Sequence, residues 1–151
     1  MAVWPIEAAL LTGAFDRVIV STDDHEIARV AAESGAEVPF TRPGNLSSDY
    51  AGTAPVIVHA IDKLGLEDDA IVMCLYPTAP VTAVILEEAA QLAEKYPEHF
   101  TISVGRHRSP LERALGALED GFMALESTQS LLARTQDLPQ RFFDAGKFYL
   151  A

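Results

Sequence analysis

The chain has 151 residues, of which 49% are hydrophobic and 22% are charged, and its formal net charge is −11. This composition supports one compact globular domain and excludes a disordered chain, while the shortness of the apolar runs excludes a membrane helix, which needs roughly 18 apolar residues. Because the acidic balance repels phosphate backbones and leaves no basic stripe, nucleic acid is excluded as a partner and small ligands are expected.

The amino-terminal segment has no basic region and no small-residue cleavage pattern, so we expect a cytoplasmic protein without a signal peptide. Cys74 is the one cysteine; it excludes an intramolecular disulfide and is interpreted as a buried structural thiol. The four histidines, at positions 25, 59, 99 and 107, lack metal-ligand spacing. No metal-binding residue is therefore predicted from them.

The first third of the chain alternates helix and strand patterns. Apolar residues at helical spacing predict a helix over residues 4–11. The continuous apolar run at residues 17–21 predicts a strand covered on both faces, and a capped helix follows it up to Gly35. A short strand at residues 36–40 then precedes a long polar loop that ends near Thr53.

The same alternation continues through the middle of the chain. Helical spacing returns at residues 53–64, and the run at residues 70–76 is the most strand-like segment, which we predict to be the central strand. A helix over residues 81–96 and a strand over residues 100–104 follow. These alternating units predict an α/β fold with a three-layer, mainly parallel sheet whose ligands bind beyond the carboxyl ends of the strands.

The carboxyl-terminal third is less regular. A hairpin is predicted around the turn at residues 119–121, and aromatic alternation at residues 142–151 predicts a final strand. This third also carries five arginines in an otherwise acidic chain, which would suit an anionic substrate if they converge in space. They are Arg106, Arg108, Arg113, Arg134 and Arg141.

Two sites in the amino-terminal half have candidate chemistry. Asp23 and Asp24 follow a predicted strand, where an acidic pair holds Mg²⁺, accepts a phosphoryl group or, in the interpretation that we favour, caps the next helix. Arg42 lies in the long loop close to two prolines that stiffen the chain. Its guanidinium suits phosphate or carbonyl oxygens, with a solvated arginine as the alternative.

Several segments together resemble the CMP-nonulosonate cytidylyltransferases. Residues 42–53 read RPGNLSSDYAGT and are similar to the loop that wraps the cytosine end of CTP in that family. The resemblance implies nucleotide contacts from Arg42, Ala51, Gly52 and Thr53. Residues 75–81 read LYPTAPV and match the loop that faces the sugar acid. This likeness implies substrate contacts from two further residues, Tyr76 and Thr78.

The most specific likeness is to pseudaminic acid cytidylyltransferases. Residues 133–151 read ARTQDLPQRFFDAGKFYLA and resemble the family's TRSQDLP-like segment with its FFDAGQFY strand, whereas residues 110–115 resemble its PIQRA-type segment. Sugar contacts are therefore implied for four residues, Arg113, Arg134, Gln136 and Asp144. Tyr76 replaces the glutamine usual in sialic acid enzymes, which points away from the sialic acid enzymes and elsewhere within the family.

The resemblance implies a nucleotide-diphospho-sugar transferase-like, Rossmann-like fold and a reaction of CTP with an acidic nine-carbon sugar, giving the CMP-sugar and pyrophosphate with Mg²⁺ as cofactor. Residues 106–141 are expected to form an insertion that makes a homodimer and contributes to the sugar site. Family members also have an earlier phosphate loop and a later acidic metal segment. We therefore expect a single domain over residues 1–151 that lacks both and turns over slowly, with its catalytic residue unknown.

Three other interpretations stay open. The chain could be a noncatalytic module of the same fold that binds a nucleotide or a protein partner. A further alternative is membership of the sialic acid enzymes or of the Kdo enzymes, which share the style of residues 15–40. A receiver-like domain around Asp23 and Asp24 ranks last, because Gly105 and Arg106 stand where a lysine would be needed.

Overall fold

The computed structural model describes residues 2–125, 128 and 132–151 of the chain. Its contacts form two compact units, one made of Met1–Ile102 with Gly146–Ala151 and the other of Ser103–Ala145. The predicted insertion at residues 106–141 falls within the second unit. Part of it, residues 126, 127 and 129–131, lies outside the described residues.

The described residues form four α-helices, which occupy the positions that apolar spacing predicts. The helix α2, His25–Glu33, is capped by Asp24, whose side chain accepts hydrogen bonds from the backbone amides of Glu26 and Ile27 at 2.8 and 2.9 Å. Gly13 and Gly65 end α1 and α3 with φ of 65° and 59°, a left-handed conformation that glycine adopts without a steric penalty. Among the helices of the described residues, none has the length and apolarity to cross a membrane. The helices are α1 Val3–Thr12, α2 His25–Glu33, α3 Thr53–Leu64 and α4 Ala83–Lys95.

The strands form one three-stranded sheet and one hairpin. In the sheet the order is β1-β5-β2, and β1 runs antiparallel to β5 with Met73 opposite Leu150. The hairpin pairs β3 with β4, which confirms the turn predicted around residues 119–121. The strands are β1 Met73–Leu75, β2 Thr101–Arg106, β3 Leu115–Ala117, β4 Met123–Leu125 and β5 Phe142–Leu150.

The fold is mixed α/β, but two predictions about its sheet are wrong. The strand predicted at residues 70–76 to be central is shorter and lies at the edge of the sheet, and its pairing is antiparallel. Parallel pairing is seen in two isolated bridges of the described residues, Ile19 with Glu37 and Thr22 with Thr41. The physical reason is that a continuous apolar run indicates that both faces of a strand are covered. It does not indicate which strands pair along its two edges, or in which direction they run.

The core of the first unit lies between helices and strand β5. Leu86 of α4 is 0% exposed, and Val81 and Leu150 are 1% exposed. Alanines at the α1 and α4 surfaces, including Ala9 and Ala89, let the two helices approach closely. The Trp4 indole N–H of α1 also donates to the Val81 carbonyl at 2.7 Å, so α1 is fixed by both apolar and polar contacts.

A smaller cluster supports the segment that leads to Asp23. Ile6, Ala31 and Ala36 are buried against the partly buried Val18 and Val20. The backbone of residues 18–20 also exchanges two hydrogen bonds with Glu37, at 2.8 and 2.9 Å. This cluster therefore holds the two parallel segments side by side, although neither forms a regular strand.

Candidate functional site

The loop before α3 is folded by local hydrogen bonds. A short 3-10 turn covers Gly44–Leu46, and the backbone amide of Ala51 donates to the Ser48 carbonyl at 2.9 Å. Gly52 precedes the first turn of α3 in an extended conformation, with φ of −70° and ψ of 159°. These contacts bring the predicted nucleotide residues Ala51, Gly52 and Thr53 to the amino-terminal end of α3, where free backbone amides favour electronegative groups.

Arg42 is held at the start of this loop by three neighbours. Its backbone amide donates to the Thr22 carbonyl at 2.9 Å, and its Nε donates to the Ser47 hydroxyl at 3.2 Å. Its Nη2 lies 3.5 Å from an Asp23 carboxylate oxygen. Since the Arg42 side chain is 25% exposed, this arginine is a fixed and partly covered group rather than a freely solvated one.

Thr53 and Tyr76 come into direct contact. The Thr53 hydroxyl lies 2.6 Å from the Tyr76 hydroxyl. Tyr76 directly follows β1, and its backbone amide donates a hydrogen bond to the Lys147 carbonyl at 3.0 Å. The loop predicted to contact the nucleotide therefore meets the loop predicted to face the sugar. Thr78 lies exposed in the turn after Tyr76; it and Arg42 are not among the residues that line the cavity beside this contact.

That cavity has a volume of about 610 Å³ and lies between α3 and the face of β1 and β5. The Tyr76 ring packs edge-on against Tyr149 at 5.9 Å, and Tyr149 stacks on Phe100 at 6.1 Å. Cys74, which was predicted to be a buried thiol, is half-buried in the wall of this cavity, and its partial burial raises the pKa of the thiol. The lining residues are Thr53, Ala54, Ile57, Ile61, Leu66, Glu67, Asp68, Ala70, Val72, Cys74, Tyr76, Phe100, Tyr149 and Ala151.

Tyr76→Phe tests the contact between the two loops. Removing one hydroxyl breaks the 2.6 Å hydrogen bond to Thr53, and we expect a loss of about 0.5–1.5 kcal/mol in the free energy of unfolding. A double-mutant cycle with Thr53→Val should give a coupling energy of that size in urea denaturation. Tyr50→Phe is the control, since Tyr50 is 97% exposed. A coupling energy near zero would show that the two hydroxyls act independently.

The predicted sugar residues of the second unit are arranged mainly by internal contacts. Arg134 forms a two-pronged ion pair with Asp137 at 2.7 and 3.1 Å, and Arg113 donates to the Ala133 carbonyl at 2.5 Å. Arg141 pairs with Glu112 at 3.1 Å. The arginines that cluster in sequence are therefore largely engaged with their own unit, which sequence clustering alone does not reveal.

A separate polar cavity of about 330 Å³ lies in the second unit. Gln136 lines it, and the Gln140 side-chain amide closes one side by donating to the His107 and Arg141 carbonyls at 3.0 Å. Asp144 lies exposed on β5. Thus Arg113, Arg134, Gln136 and Asp144 belong to the second unit, whereas Tyr76 and Thr78 belong to the first. The lining residues are His107, Arg108, Pro110, Thr135, Gln136, Leu138 and Gln140.

Glu112 gives the second unit a pH-dependent contact. A hydrogen bond from its own backbone amide, and then one from Arg141, lower the pKa of Glu112. A lowered folded-state pKa stabilises the fold above the ordinary glutamate pKa of about 4.3, and this contribution is lost as pH falls through the folded value. We therefore expect the protection factors of the amides around Arg141, which are their exchange rates relative to the intrinsic rate at each pH, to fall below about pH 4.3. Glu112→Gln should remove this dependence, and identical pH profiles for the two proteins would contradict it.

The histidine and acidic residues show no metal-binding arrangement within residues 2–125, 128 and 132–151, where no group of three or more His, Cys, Asp or Glu side chains could hold an ion. The His59 ring packs edge-on against Phe40 at 5.2 Å, and the His107 ring packs against Phe143 at 5.0 Å. Asp24 caps α2, in agreement with the capping interpretation.

Sequence reasoning missed Ser47 as a site residue, and it singled out Asp23 without predicting its contact with Arg42. The sequence places Asp23 at a strand end, but its approach to Arg42 depends on the parallel bridge between Thr22 and Thr41. Parallel pairing of the two segments that precede Asp23 and Arg42 was the signal that could have revealed their contact. Residues that directly follow two paired parallel segments lie at the same edge of a sheet.

The chain belongs to the cytidylyltransferase family, whose sequence pattern it matches over residues 1–148. It is 36% identical over 149 residues to the pseudaminic acid cytidylyltransferase of Campylobacter jejuni subsp. jejuni serotype O:2, an alignment that covers 97% of this chain and 64% of the relative. The chain therefore spans about 64% of the length of this relative.

Two further relatives have names that differ from that of the first, because one names a second activity and the other names a different sugar. A Helicobacter pylori protein named pseudaminic acid cytidylyltransferase and UDP-2,4-diacetamido-2,4,6-trideoxy-beta-L-altropyranose hydrolase is 31% identical over 99% of this chain and 29% of its own length. The 3-deoxy-manno-octulosonate cytidylyltransferase of Coxiella burnetii is 34% identical over 70% of this chain and 39% of its own length. The pseudaminic acid relatives thus match more of the chain.

Proposed function

We propose that the protein is a nucleotidyltransferase that transfers CMP from CTP to a nonulosonic acid, with pseudaminic acid as the acceptor and pyrophosphate as the leaving group. The observation that carries the proposal is the 2.6 Å contact between Thr53 and Tyr76. It joins the loop assigned to the nucleotide to the loop assigned to the sugar. The names and coverage of the pseudaminic acid relatives support the choice of acceptor.

In this proposal, the first unit binds the nucleotide. Arg42 and the Ala51–Thr53 segment contact the cytosine and ribose, because a fixed guanidinium and free helix amides match carbonyl and hydroxyl oxygens. Tyr76 and Thr78 face the sugar from the neighbouring loop. The other residues proposed to contact the acidic sugar are Arg113, Arg134, Gln136 and Asp144, and the two arginines suit its carboxylate.

The family resemblance adds further elements to the proposal. Residues 106–141 would form the contact of a homodimer, and the reaction would take place in the cytoplasm with Mg²⁺ as cofactor. The described residues contain no cluster of three or more metal-ligating side chains, so no chemical step is assigned to the ion. The finer fold proposed is three-layered and nucleotide-diphospho-sugar transferase-like, supported by the parallel bridge of Ile19 with Glu37 and by family membership.

A noncatalytic module of the same fold is the second candidate, and the observation that favours it is the charge of the chain. A formal net charge of −11 opposes the approach of a triphosphate. Such a module would bind a protein partner, or a nucleotide weakly. The two candidates therefore differ in whether cytidine nucleotides bind specifically.

Thermal unfolding with CTP, CMP or ATP, each with Mg²⁺, tests the proposal. A ligand at a hundred times its Kd adds about 2.7 kcal/mol of stability, which corresponds to a rise in Tm of about 5–10 °C for a chain of this size. We expect CTP and CMP, but not ATP, to produce such a rise. Pseudaminic acid should add a further rise in the presence of CTP, whereas N-acetylneuraminic acid and Kdo should not.

Each alternative outcome has a distinct meaning. Stabilisation by none of the nucleotides would favour the noncatalytic module, and equal stabilisation by ATP would contradict a cytidine site. Stabilisation by CTP with a greater further rise from N-acetylneuraminic acid or Kdo would keep the enzyme class and overturn the proposed acceptor.

A further inference from the structure

We propose that Asp23 is a positioning residue that orients Arg42 toward a neutral carbonyl acceptor, of the kind that a pyrimidine base presents, and away from phosphate. This inference rests on the proposed nucleotide site, and it assigns to Asp23 a role other than metal binding or helix capping. Its support comes from the backbone pairing around the two residues, the hydrogen-bond geometry of the guanidinium and the balance of charge.

Backbone pairing fixes the distance between the two residues. Thr22 is 5% exposed and forms the parallel bridge to Thr41, and the Thr22 carbonyl accepts from the Arg42 amide at 2.9 Å. Asp23 and Arg42 therefore leave the paired segments side by side. Asp24 has a separate role, since its carboxylate accepts the amides of α2. The structure describes an ion pair between Arg42 and the neighbouring carboxylate, that of Asp23.

The guanidinium is held along one edge. Its Nε donates to Ser47 Oγ at 3.2 Å, and its Nη2 lies 3.5 Å from Asp23 Oδ1. The Ser47 hydroxyl has one proton, which it donates to the Pro43 carbonyl at 3.1 Å, so a lone pair is left to accept from Nε. Both contacts use the Nε–Nη2 edge. The three remaining N–H donors, on Nη1 and Nη2, have no partner within the described part of the chain.

The charge of Asp23 decides which acceptor suits those donors. A carboxylate beside the guanidinium offsets its positive charge and repels a second anion placed nearby. A neutral carbonyl oxygen accepts the N–H donors without that repulsion, whereas a phosphate meets both Asp23 and a chain of net charge −11. The fixed orientation also lowers the entropy that Arg42 loses when it binds a ligand. Asp23 thus favours base recognition by Arg42.

Cytidine and inorganic pyrophosphate are the probes that separate these two kinds of acceptor. Cytidine carries the base without phosphate, and pyrophosphate carries the anionic charge without a base. We compare Asp23→Asn with Asp24→Asn, because each removes one negative charge from the same loop. Asn caps a helix about as well as Asp, so Asp24→Asn keeps the start of α2 while it leaves the partner of Arg42 in place.

Isothermal titration should give opposite changes for the two probes. We expect Asp23→Asn to weaken cytidine binding by about three- to fivefold and to strengthen pyrophosphate binding, whereas Asp24→Asn should change the ratio of the two affinities by less than about twofold. Ser47→Ala, which removes the Nε acceptor, should also weaken cytidine binding. A variant that only folds less well keeps the ratio of its cytidine and pyrophosphate affinities unchanged. Measuring the Tm of each variant identifies such a loss of folding.

The two proposals fail in different ways. If the unmodified chain binds cytidine and Asp23→Asn behaves like Asp24→Asn, the positioning role of Asp23 is overturned and the nucleotide site stands. If the unmodified chain binds neither cytidine nor CTP, the proposed function itself is overturned, and the role of Asp23 is overturned with it.

Discussion

Replacing Arg42 with alanine should lower the affinity of the chain for CTP by about ten- to a hundredfold. Hydrogen bonds that involve a charged donor contribute about 1.5–3 kcal/mol, and each 1.4 kcal/mol is a factor of ten in affinity. The effect should be large because the Arg42 side chain is held by Ser47 and Asp23 before the ligand arrives. Isothermal titration with CTP measures it directly.

Arg29→Ala is the matched control for this prediction. Arg29 lies on α2, its side chain is 60% exposed, and it forms an ion pair with Glu33 at 2.6 Å. Replacing Arg29 removes one positive charge from the first unit, as replacing Arg42 does. If CTP affinity falls equally in both variants, the loss reflects net charge alone, and the specific role of Arg42 is wrong.

Leu86→Ala should lower the free energy of unfolding of the first unit by about 2–5 kcal/mol, the range for truncating a fully buried leucine. Leu86 is 0% exposed and packs in the cluster that contains Val81 and Leu150. Urea denaturation followed by the fluorescence of Trp4 reports on this region, because the Trp4 indole is bonded to the Val81 carbonyl.

Leu92→Ala provides the same chemical change on the same helix, α4. Leu92 is 49% exposed, so its truncation should cost about 1 kcal/mol or less. A similar cost for the two variants would mean that the interface of α4 with α1 and β5 is not the main core of the first unit.

The helices could be predicted well because local interactions determine them. Apolar spacing indicated where the helices lie, the Asp24 side chain marks the start of α2, and the left-handed Gly13 and Gly65 mark the ends of α1 and α3. These are effects of residues within one or two turns, so they leave a readable pattern in sequence.

The sheet was harder to predict because its neighbours are distant in sequence. The apolar run at residues 70–76 correctly indicated a strand at Met73–Leu75, but it contained no information about which edge is paired or in which direction. That pairing is made by β5, more than seventy residues later, through contacts such as Met73 with Leu150. Segments 18–22 and 37–41 pair through isolated bridges rather than regular strands.

The sequence predicted which loops form the candidate site, but it did not predict which side chains contact one another there. Sequence likeness selected Arg42, Thr53 and Tyr76, and the contact between Thr53 and Tyr76 follows from two loops that lie at one edge of the first unit. The approach of Asp23 to Arg42 depends on a backbone pairing that no local pattern encodes. Likewise, the ion pair of Arg141 with Glu112 in the second unit joins residues far apart in sequence and depends on how the irregular backbone folds.

The most direct test of the proposed site is a titration of the isotopically labelled chain with cytidine 5′-monophosphate, followed residue by residue in amide NMR spectra. We expect the largest shift changes at the backbone amides of Arg42, Ala51, Gly52 and Thr53, with smaller changes at Tyr76, and no comparable changes with adenosine 5′-monophosphate. Shift changes confined to the second unit, or equal changes with the two nucleotides, would contradict a cytidine site in the loop before α3.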